Sequence, residues 1–321
     1  MRPCLPSEPE PIRSKRSTTG AGPTDISASD FLAANGFGSD ALGVVDRALN
    51  ANSLATYSMA NVWRSLRLYE IDRELGASGG VAGGSQRLPE AMAARLGDAV
   101  SLGAPVLSAA NDPDGVIIAT MEREWRADFA ILALPFPAIA RLKLARSPTG
   151  AQAEAIANLP YTQIIQVHFE TDRPFWETDG LPAAMWTDGP MERIFATRDE
   201  ATGEIVGFNA WINGDGATTL SALSDEAIAA RLKTELLRLR PATEGRATVR
   251  RVVRWTQGAS YAGGAYMHWA PGQIAAWADA MRAPIGRIHL AGEHLSRFHT
   301  GMEGAMETGE AAAEAIFDAS A

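Results

Sequence analysis

The stretch that most restricts how this chain can fold lies near its end. Gly286-Arg287-Ile288-His289-Leu290-Ala291-Gly292-Glu293 reads as a short strand closed by Gly-Glu. A loop follows, and residues from about Met302 to Phe317 keep helical spacing. On that helix Glu303, Glu307, Glu310 and Glu314 fall on one solvated face, and Met302, Met306, Gly309, Ala313 and Ile316 form a separate apolar one. A strand–loop–helix of this kind belongs to an α/β layer, where ligands gather beyond the carboxyl ends of the strands. Gly292 would let a ligand approach the backbone, and Glu293 would stand at the strand's end. The helix opens Gly301-Met302-Glu303-Gly304-Ala305, and its first amides are unpaired and partly positive. An anionic or carbonyl oxygen suits such a place. Gly304, Ala305 and Gly309 keep the helix surface low enough for a flat ring. A helix docked on a sheet with no ligand meets the same spacing.

The rest of the chain divides by composition. Residues 1–25 are rich in Pro, Ser, Thr, Gly and charge and are expected to be a disordered tail. They hold Gly20-Ala21-Gly22, but no strand precedes it and the third glycine of a dinucleotide loop is replaced by Asp25. Residues 26–75 read as helices, among them Ala60–Leu75. Gly79 to Ser85 is a glycine-rich loop, followed by an amphipathic helix, Leu88–Leu96, with Leu88, Met92 and Leu96 on one face. Val100–Leu102 and Gly115–Met121 read as strands. Ala127–Leu134 is a nearly continuous apolar run, which suits a strand buried on both faces. Between 150 and 260 the pattern becomes mixed. Strands are expected at Ile164–Phe169, Glu192–Ala196, Ile205–Ile212 and Thr248–Trp255, and helices at Ala151–Asn158 and Asp225–Leu239.

Several function classes are excluded. Net charge is −9, with no basic cluster beyond Arg13, Lys15 and Arg16, so nucleic acid is not an expected partner. Cys4 is the one cysteine, which rules out disulfides and thiolate clusters. No apolar run reaches membrane length, and Met1–Pro23 has no signal-like apolar core, so a cytoplasmic location is expected. His289, His294 and His299 are five apart and make no metal pattern, so no metal is expected. His268, two residues past Tyr266, and Trp186 are candidates for a substrate pocket, while Trp211 reads as core. No phosphate loop or Gly-x-Ser-x-Gly elbow is present.

Four motifs occur in order. Ile288–Glu293 with Gly301–Gly309 resembles the C-terminal flavin motif of the flavin-containing amine oxidoreductases, the monoamine, L-amino-acid and polyamine oxidases. Gly83-Gly84-Ser85 through Leu96-Gly97-Asp98 to Pro105-Val106 resembles that family's central FAD segment. Ala127–Pro135 resembles its buried strand ending in Leu-Pro. Gly263-Gly264-Ala265-Tyr266, running into Trp269-Ala270-Pro271-Gly272, resembles the loop facing the flavin ring. The resemblance implies FAD. Glu293 would bond ribityl or ribose hydroxyls, the Met302 backbone would meet the pyrimidine end, and Val106 would touch the adenine. Gly292, Gly301 and Ala305 would join this cofactor set. Tyr266 would stand beside the isoalloxazine and shape the amine site.

The sequence departs from the family in four places. The glycine-rich N-terminal strand, turn and helix, with its ribose-binding acid, do not occur in these 321 residues, so FAD is expected to bind weakly or not at all. Gln166 stands where many members carry a lysine that holds a water near flavin N5. Ala265 replaces a tethering cysteine, making any FAD non-covalent. Gly301 replaces the second aromatic of the amine cage.

The fold class implied is α/β plus α+β: a monoamine-oxidase-like FAD-binding domain lacking its N-terminal βαβ unit, with an inserted mixed-sheet substrate domain. Residues 76–140 and 281–321 would form the first, 141–280 the second, and 26–75 a helical segment on the substrate side. The expected reaction is FAD-dependent oxidation of an amine, with molecular oxygen as acceptor, and a homodimer is allowed. The alternatives are a truncated, non-catalytic remnant or cofactor-free binding module, and a flavin desaturase or porphyrinogen-type oxidase.

Overall fold

The computed structural model describes residues 25–76, 79–258, 261 and 263–320. Apart from Asp25, the expected tail lies outside the described residues. Three helices come first: α1 (Ala28–Ala34), α2 (Ser39–Ala48) and α3 (Met59–Leu75). Ser27 Oγ accepts the Asp30 amide at 3.1 Å and Ser58 Oγ the Asn61 amide at 3.3 Å, so hydroxyl caps begin α1 and α3. Ala28, Leu54, Tyr57 and Met59 close a small core beneath them. Helix α4 (Arg87–Leu96) forms as expected, but it buries nothing: Met92 and Leu96 are 51% and 61% exposed. Val100–Leu102 is not a strand. Gly97 and Gly103, both at positive φ, turn the chain on either side, and the segment is too short to find a partner.

Strands β1 (Ser108–Asp112), β2 (Gly115–Ala119) and β3 (Glu124–Ala127) form an antiparallel meander. The apolar run that follows is split. Ala127 ends β3, Asp128 and Phe129 turn the corner, and β4 (Ala130–Leu132) enters another sheet with Ile131 38% exposed. A strand buried on both faces is therefore not what this run becomes. Helix α5 (Phe136–Ile139) leads to β5 (Lys143–Leu144), which pairs parallel with β1, and then to α6 (Gly150–Asn158).

The middle of the chain builds a five-stranded antiparallel sheet. Its elements are β6 (Ile164–Thr171), α7 (Phe175–Asp179), β7 (Met185–Trp186), β8 (Arg193–Arg198), β9 (Ile205–Asn213), α8 (Gly214–Ser221), α9 (Asp225–Leu239) and β10 (Ala247–Trp255). Strand order is β10-β6-β9-β8-β7. Alternation sorts the residues: Ile165, Val167, Ile194, Phe208 and Ile212 turn to one face and meet Ile228, Leu232 and Leu236 of α9. Full burial of such a side chain contributes about 1.5–3 kcal/mol. Gln166, His168 and Trp211 are left on the opposite face.

The chain ends with α10 (Gln273–Trp277), β11 (Ile288–Leu290) and α11 (Gly301–Ser320). β11 pairs parallel with β4, Ile288 opposite Ala130 and Leu290 opposite Leu132. Asn111 of β1 ties this end down: its Nδ2 donates to Ile285 O at 2.9 Å and its Oδ1 accepts the Arg287 amide at 2.7 Å. Phe136, Ile139, Trp269, Met281 and Ile288 form the core here. On α11 the buried residues are Gly304, Thr308 and Ala312, while Met302 and Met306 are 41% and 45% exposed. The apolar face expected from methionine spacing thus points outward. At the start of the inner face Gly304 is required by close approach: a Cβ there would lie 3.0 Å from Ser296 Cβ and 3.2 Å from His299 O. No helix among the described residues is long and apolar enough to cross a membrane.

Candidate functional site

The site grows from the end of β11. Gly292 has φ +146°, and a Cβ there would lie 2.6 Å from the His294 ring. The absence of a Cβ therefore makes room for the His294 ring in the turn. Thr308 Oγ1 accepts the Gly292 amide at 2.9 Å and locks the turn onto α11. Glu293 follows, half-buried, and its carboxylate has no hydrogen-bond donor among the described residues. Burial raises its pKa to about 7, opposed by the charge of Arg64 on α3. Arg64 itself donates to Ser296 O at 3.1 Å. Glu307, expected on the solvated face of α11, turns back instead: it accepts from Ser296 Oγ at 2.5 Å and the Arg297 amide at 3.2 Å, pinning the loop ahead of the helix.

That loop delivers an open helix start. The Gly304 amide reaches Thr300 O at 3.3 Å, but the amides of Gly301, Met302 and Glu303 find no acceptor among the described residues. Gly301 has φ +60° and open space around its Cα, and Met302 and Ala305 are exposed. The residues thus fit a flavin on two counts: a donor-free, half-buried carboxylate, and unpaired amides in the following helix turn.

A second wall comes from residues 263–268. The Ala265 amide donates to Thr162 O at 2.9 Å and the Thr162 amide to Tyr266 O at 2.8 Å, which lays the loop along residues 160–162. Gly264, φ +149°, is obligatory: a Cβ would come within 2.5 Å of Tyr161 Cβ. Tyr266 is half-buried with an unpartnered hydroxyl, and burial raises its pKa. Charges on Arg193 and Glu293 and the hydroxyls of Tyr57 and Tyr69 act on it, so Tyr266 and Glu293 share one electrostatic neighbourhood. His268 is 1% exposed; its Nδ1 lies 3.1 Å from Thr162 Oγ1, its Nε2 is sealed off, and burial lowers its pKa to about 4. It is a neutral, packed histidine behind the wall.

The other sequence candidates are placed as follows. Gln166 is half-buried in the middle of the sheet's α9-free face, opposite Trp211 of β9. Trp211 is not core: it stands half-buried on that face and donates Nε1 to Asn213 Oδ1 at 3.0 Å. Trp186, 60% exposed on edge strand β7, lines a 530 Å³ cleft with Arg47 and Glu192 that excludes Tyr266 and Glu293. Val106 stands half-buried just ahead of β1. Among the described residues no His, Cys, Asp and Glu cluster could hold a metal.

Sequence reading missed Arg64, Arg193 and Glu192. Glu192 is 1% exposed at φ +47°, held by the Asn213 amide at 2.8 Å and Arg47 at 3.2 Å, and burial raises its pKa to about 7. Nothing in local pattern distinguishes these from solvated charges.

The family model for flavin containing amine oxidoreductases matches residues 13–317. The chain belongs to that family. It is 29% identical over 245 residues to an L-amino acid dehydrogenase of Synechocystis, covering 73% of this chain and 50% of the relative. It is 28% identical to the flavin-containing amine oxidase B of Mus musculus, covering 74% and 46%. The chain thus spans about half the length of these curated relatives. In structure it superposes on cyclohexylamine oxidase from Brevibacterium oxydans with a TM-score of 0.74 at 20% identity, covering 91% of this chain and 67% of the other. An engineered putrescine oxidase gives 0.77 at 20% identity, covering 92% and 68%. These two likenesses establish the fold.

Proposed function

We propose that the chain carries the flavin-ring and amine-facing parts of an FAD-dependent amine oxidase. The observation that carries this reading is Glu293: a half-buried carboxylate with no protein donor, set directly before the unpaired amides of α11. Such a group is costly unless hydroxyls come to it. Ribityl or ribose hydroxyls would donate to Glu293, the Met302 amide would meet the pyrimidine end, and the Val106 backbone would lie against the adenine. Residues 76–140 and 281–321 would make up the flavin side, 141–280 the substrate side and 26–75 its cap. The parallel pairing of β4 with β11 and the Asn111 bridge support the first grouping.

FAD held there would supply the acceptor for a hydride from the carbon next to the amine nitrogen, with oxygen as the final electron acceptor. The chain's own groups do the placing. Tyr266, kept protonated by burial, stands as a neutral wall beside the amine. The Gln166 amide makes no side-chain hydrogen bond among the described residues and can hold a water without adding charge. His268 stays neutral and braces the Tyr266 loop through Thr162. Ala265 offers no sulfur, so the flavin is held non-covalently. Gly301 supplies no second aromatic, so amine steering rests on Tyr266 and the sheet face.

Purified in the presence of FAD, the chain should be yellow, and a primary amine should bleach it in the absence of air. A colourless protein that takes up no added FAD overturns the reading.

A further inference from the structure

The face of the sheet that α9 leaves uncovered carries an unused cation. Across neighbouring strands, Gln166, Trp211, Arg193 and Trp186 stand opposite one another in a single row. Arg193 is 6% exposed. Its guanidinium lies 5.9 Å from the Phe195 ring centre and 6.0 Å from that of Trp211, so the side chain lies over this face. Nη1 donates to Ala48 O at the end of α2 at 3.2 Å. Nε and Nη2 have no acceptor among the described residues; the neighbouring Glu192 acts on Arg193 through its charge, but no carboxylate among the described residues lies within ion-pair distance of it.

The unfilled atoms are informative. Nε and Nη2 form one straight edge of the guanidinium, the edge that grips a carboxylate with two parallel bonds. Two other arginines of this protein use that edge in this way. Arg240 holds Asp179 with Nε and Nη2 at 2.6 and 2.7 Å, and Arg238 holds Glu235 at 2.8 and 2.7 Å. On Arg193 the same edge is formed, buried and empty. The Tyr266 hydroxyl is also buried without a partner among the described residues, and it lies close enough to Arg193 for each to affect the other's ionisation. A buried cation with two unmet donors is costly, and an anion on that edge removes the cost.

We propose that the Nε–Nη2 edge of Arg193 is an anion site on the substrate face, and that it takes the carboxylate of an amino-acid substrate. Gln166 and Arg193 flank Trp211 in that row, so an amino acid seated over Trp211 turns its carboxylate to the Arg193 side and its amine to the Gln166 side. Arg193 is then the residue that separates amino acids from simple amines. This rests on the amine-oxidising reading above.

The test uses probes that cannot be oxidised. 3-Phenylpropanoate and the matched neutral 3-phenylpropanamide are titrated calorimetrically into the 321-residue chain, with and without FAD. The acid should bind at least tenfold more tightly than the amide, the scale of a charge-assisted bidentate contact. R193Q should abolish that difference, and R193K should keep part of it, since lysine retains the charge but not the fork. Circular dichroism and the fit of the amide probe show whether each variant is folded. Equal affinity for acid and amide in the wild-type chain, or an acid preference that survives in folded R193Q, overturns the proposal. If phenethylamine bleaches bound flavin while the acid preference is missing, the Arg193 assignment alone fails. If the acid preference depends on Arg193 but no flavin is taken up, the anion site stands and the oxidase reading alone fails.

Discussion

Glu293 should make the flavin-free chain lose stability as the pH rises, and Glu293→Gln should relieve the loss. Its pKa stands at about 7 in the fold against 4.5 for a free glutamate, because burial penalises the charged form. Below 4.5 both folded and unfolded chains carry the proton. Between 4.5 and about 7 the folded chain holds it while the unfolded chain has lost it, so stability falls with each step in pH. Above about 7 the loss is complete. The gap between 4.5 and about 7 corresponds to roughly 3 kcal/mol. The neutral amide of the Glu293→Gln variant carries no such penalty, and because the value of about 7 already includes the attraction of Arg64, the change with pH follows from the shift alone; the part of it that falls between pH 5 and pH 8 is about 2 kcal/mol. Glu192 titrates over the same range. It answers to Arg47 and Arg193, not to Arg64, so its contribution is common to both proteins and cancels in their difference. Urea unfolding at pH 5 and pH 8 measures this. The stability of the variant relative to wild type should rise by about 2 kcal/mol across that span. A difference that stays flat, or that rises toward acid, refutes a desolvated Glu293.

Four further outcomes follow from packing. Asp179→Ala strands the buried Arg240 guanidinium, which is 3% exposed, and should cost about 3 kcal/mol or more by urea unfolding. Leu232→Ala empties a fully buried position under the five-stranded sheet and should cost about 2–5 kcal/mol. Gly214→Ala, at φ +46° with a Cβ that would collide with Asn52 O, should fail to accumulate as soluble protein, while Gly309→Ala, inside α11 with nothing nearby, should raise stability by about 0.5–1 kcal/mol.

What could be read from the sequence was periodic or punctuated. Asp225–Leu239 was legible to the residue because Ser224 caps it and Ile228, Leu232 and Leu236 repeat on one face. The strands expected at 164–169 and 205–212, which run on to 171 and 213 in the structure, were legible because apolar residues alternate with polar ones. Reading failed where the partner decides. Ala127–Leu134 looks like one strand, yet Asp128 and Phe129 turn it between two sheets. On α11 the most apolar side chains are not the buried ones, since close approach to Ser296 requires Gly304 and the Thr308 hydroxyl is drawn in to bond Gly292. Trp211 looked like core because its strand is apolar, but the period of two places it on the open face. Glu293 and Tyr266 came from ordered motifs. Arg64, Arg193 and Glu192 did not, because a charge becomes informative only when the fold buries it and leaves its partners countable.

The most direct measurement is a flavin-fluorescence titration of FAD into the 321-residue chain and into Glu293→Ala at pH 8. If hydroxyls of FAD satisfy the Glu293 carboxylate, wild type quenches the flavin with saturable, one-to-one binding. Removing the carboxylate should then weaken that binding about tenfold or more, the scale of one charge-assisted hydrogen bond. Identical titrations for the two proteins, or no quenching in either, would contradict a flavin seat at the end of β11.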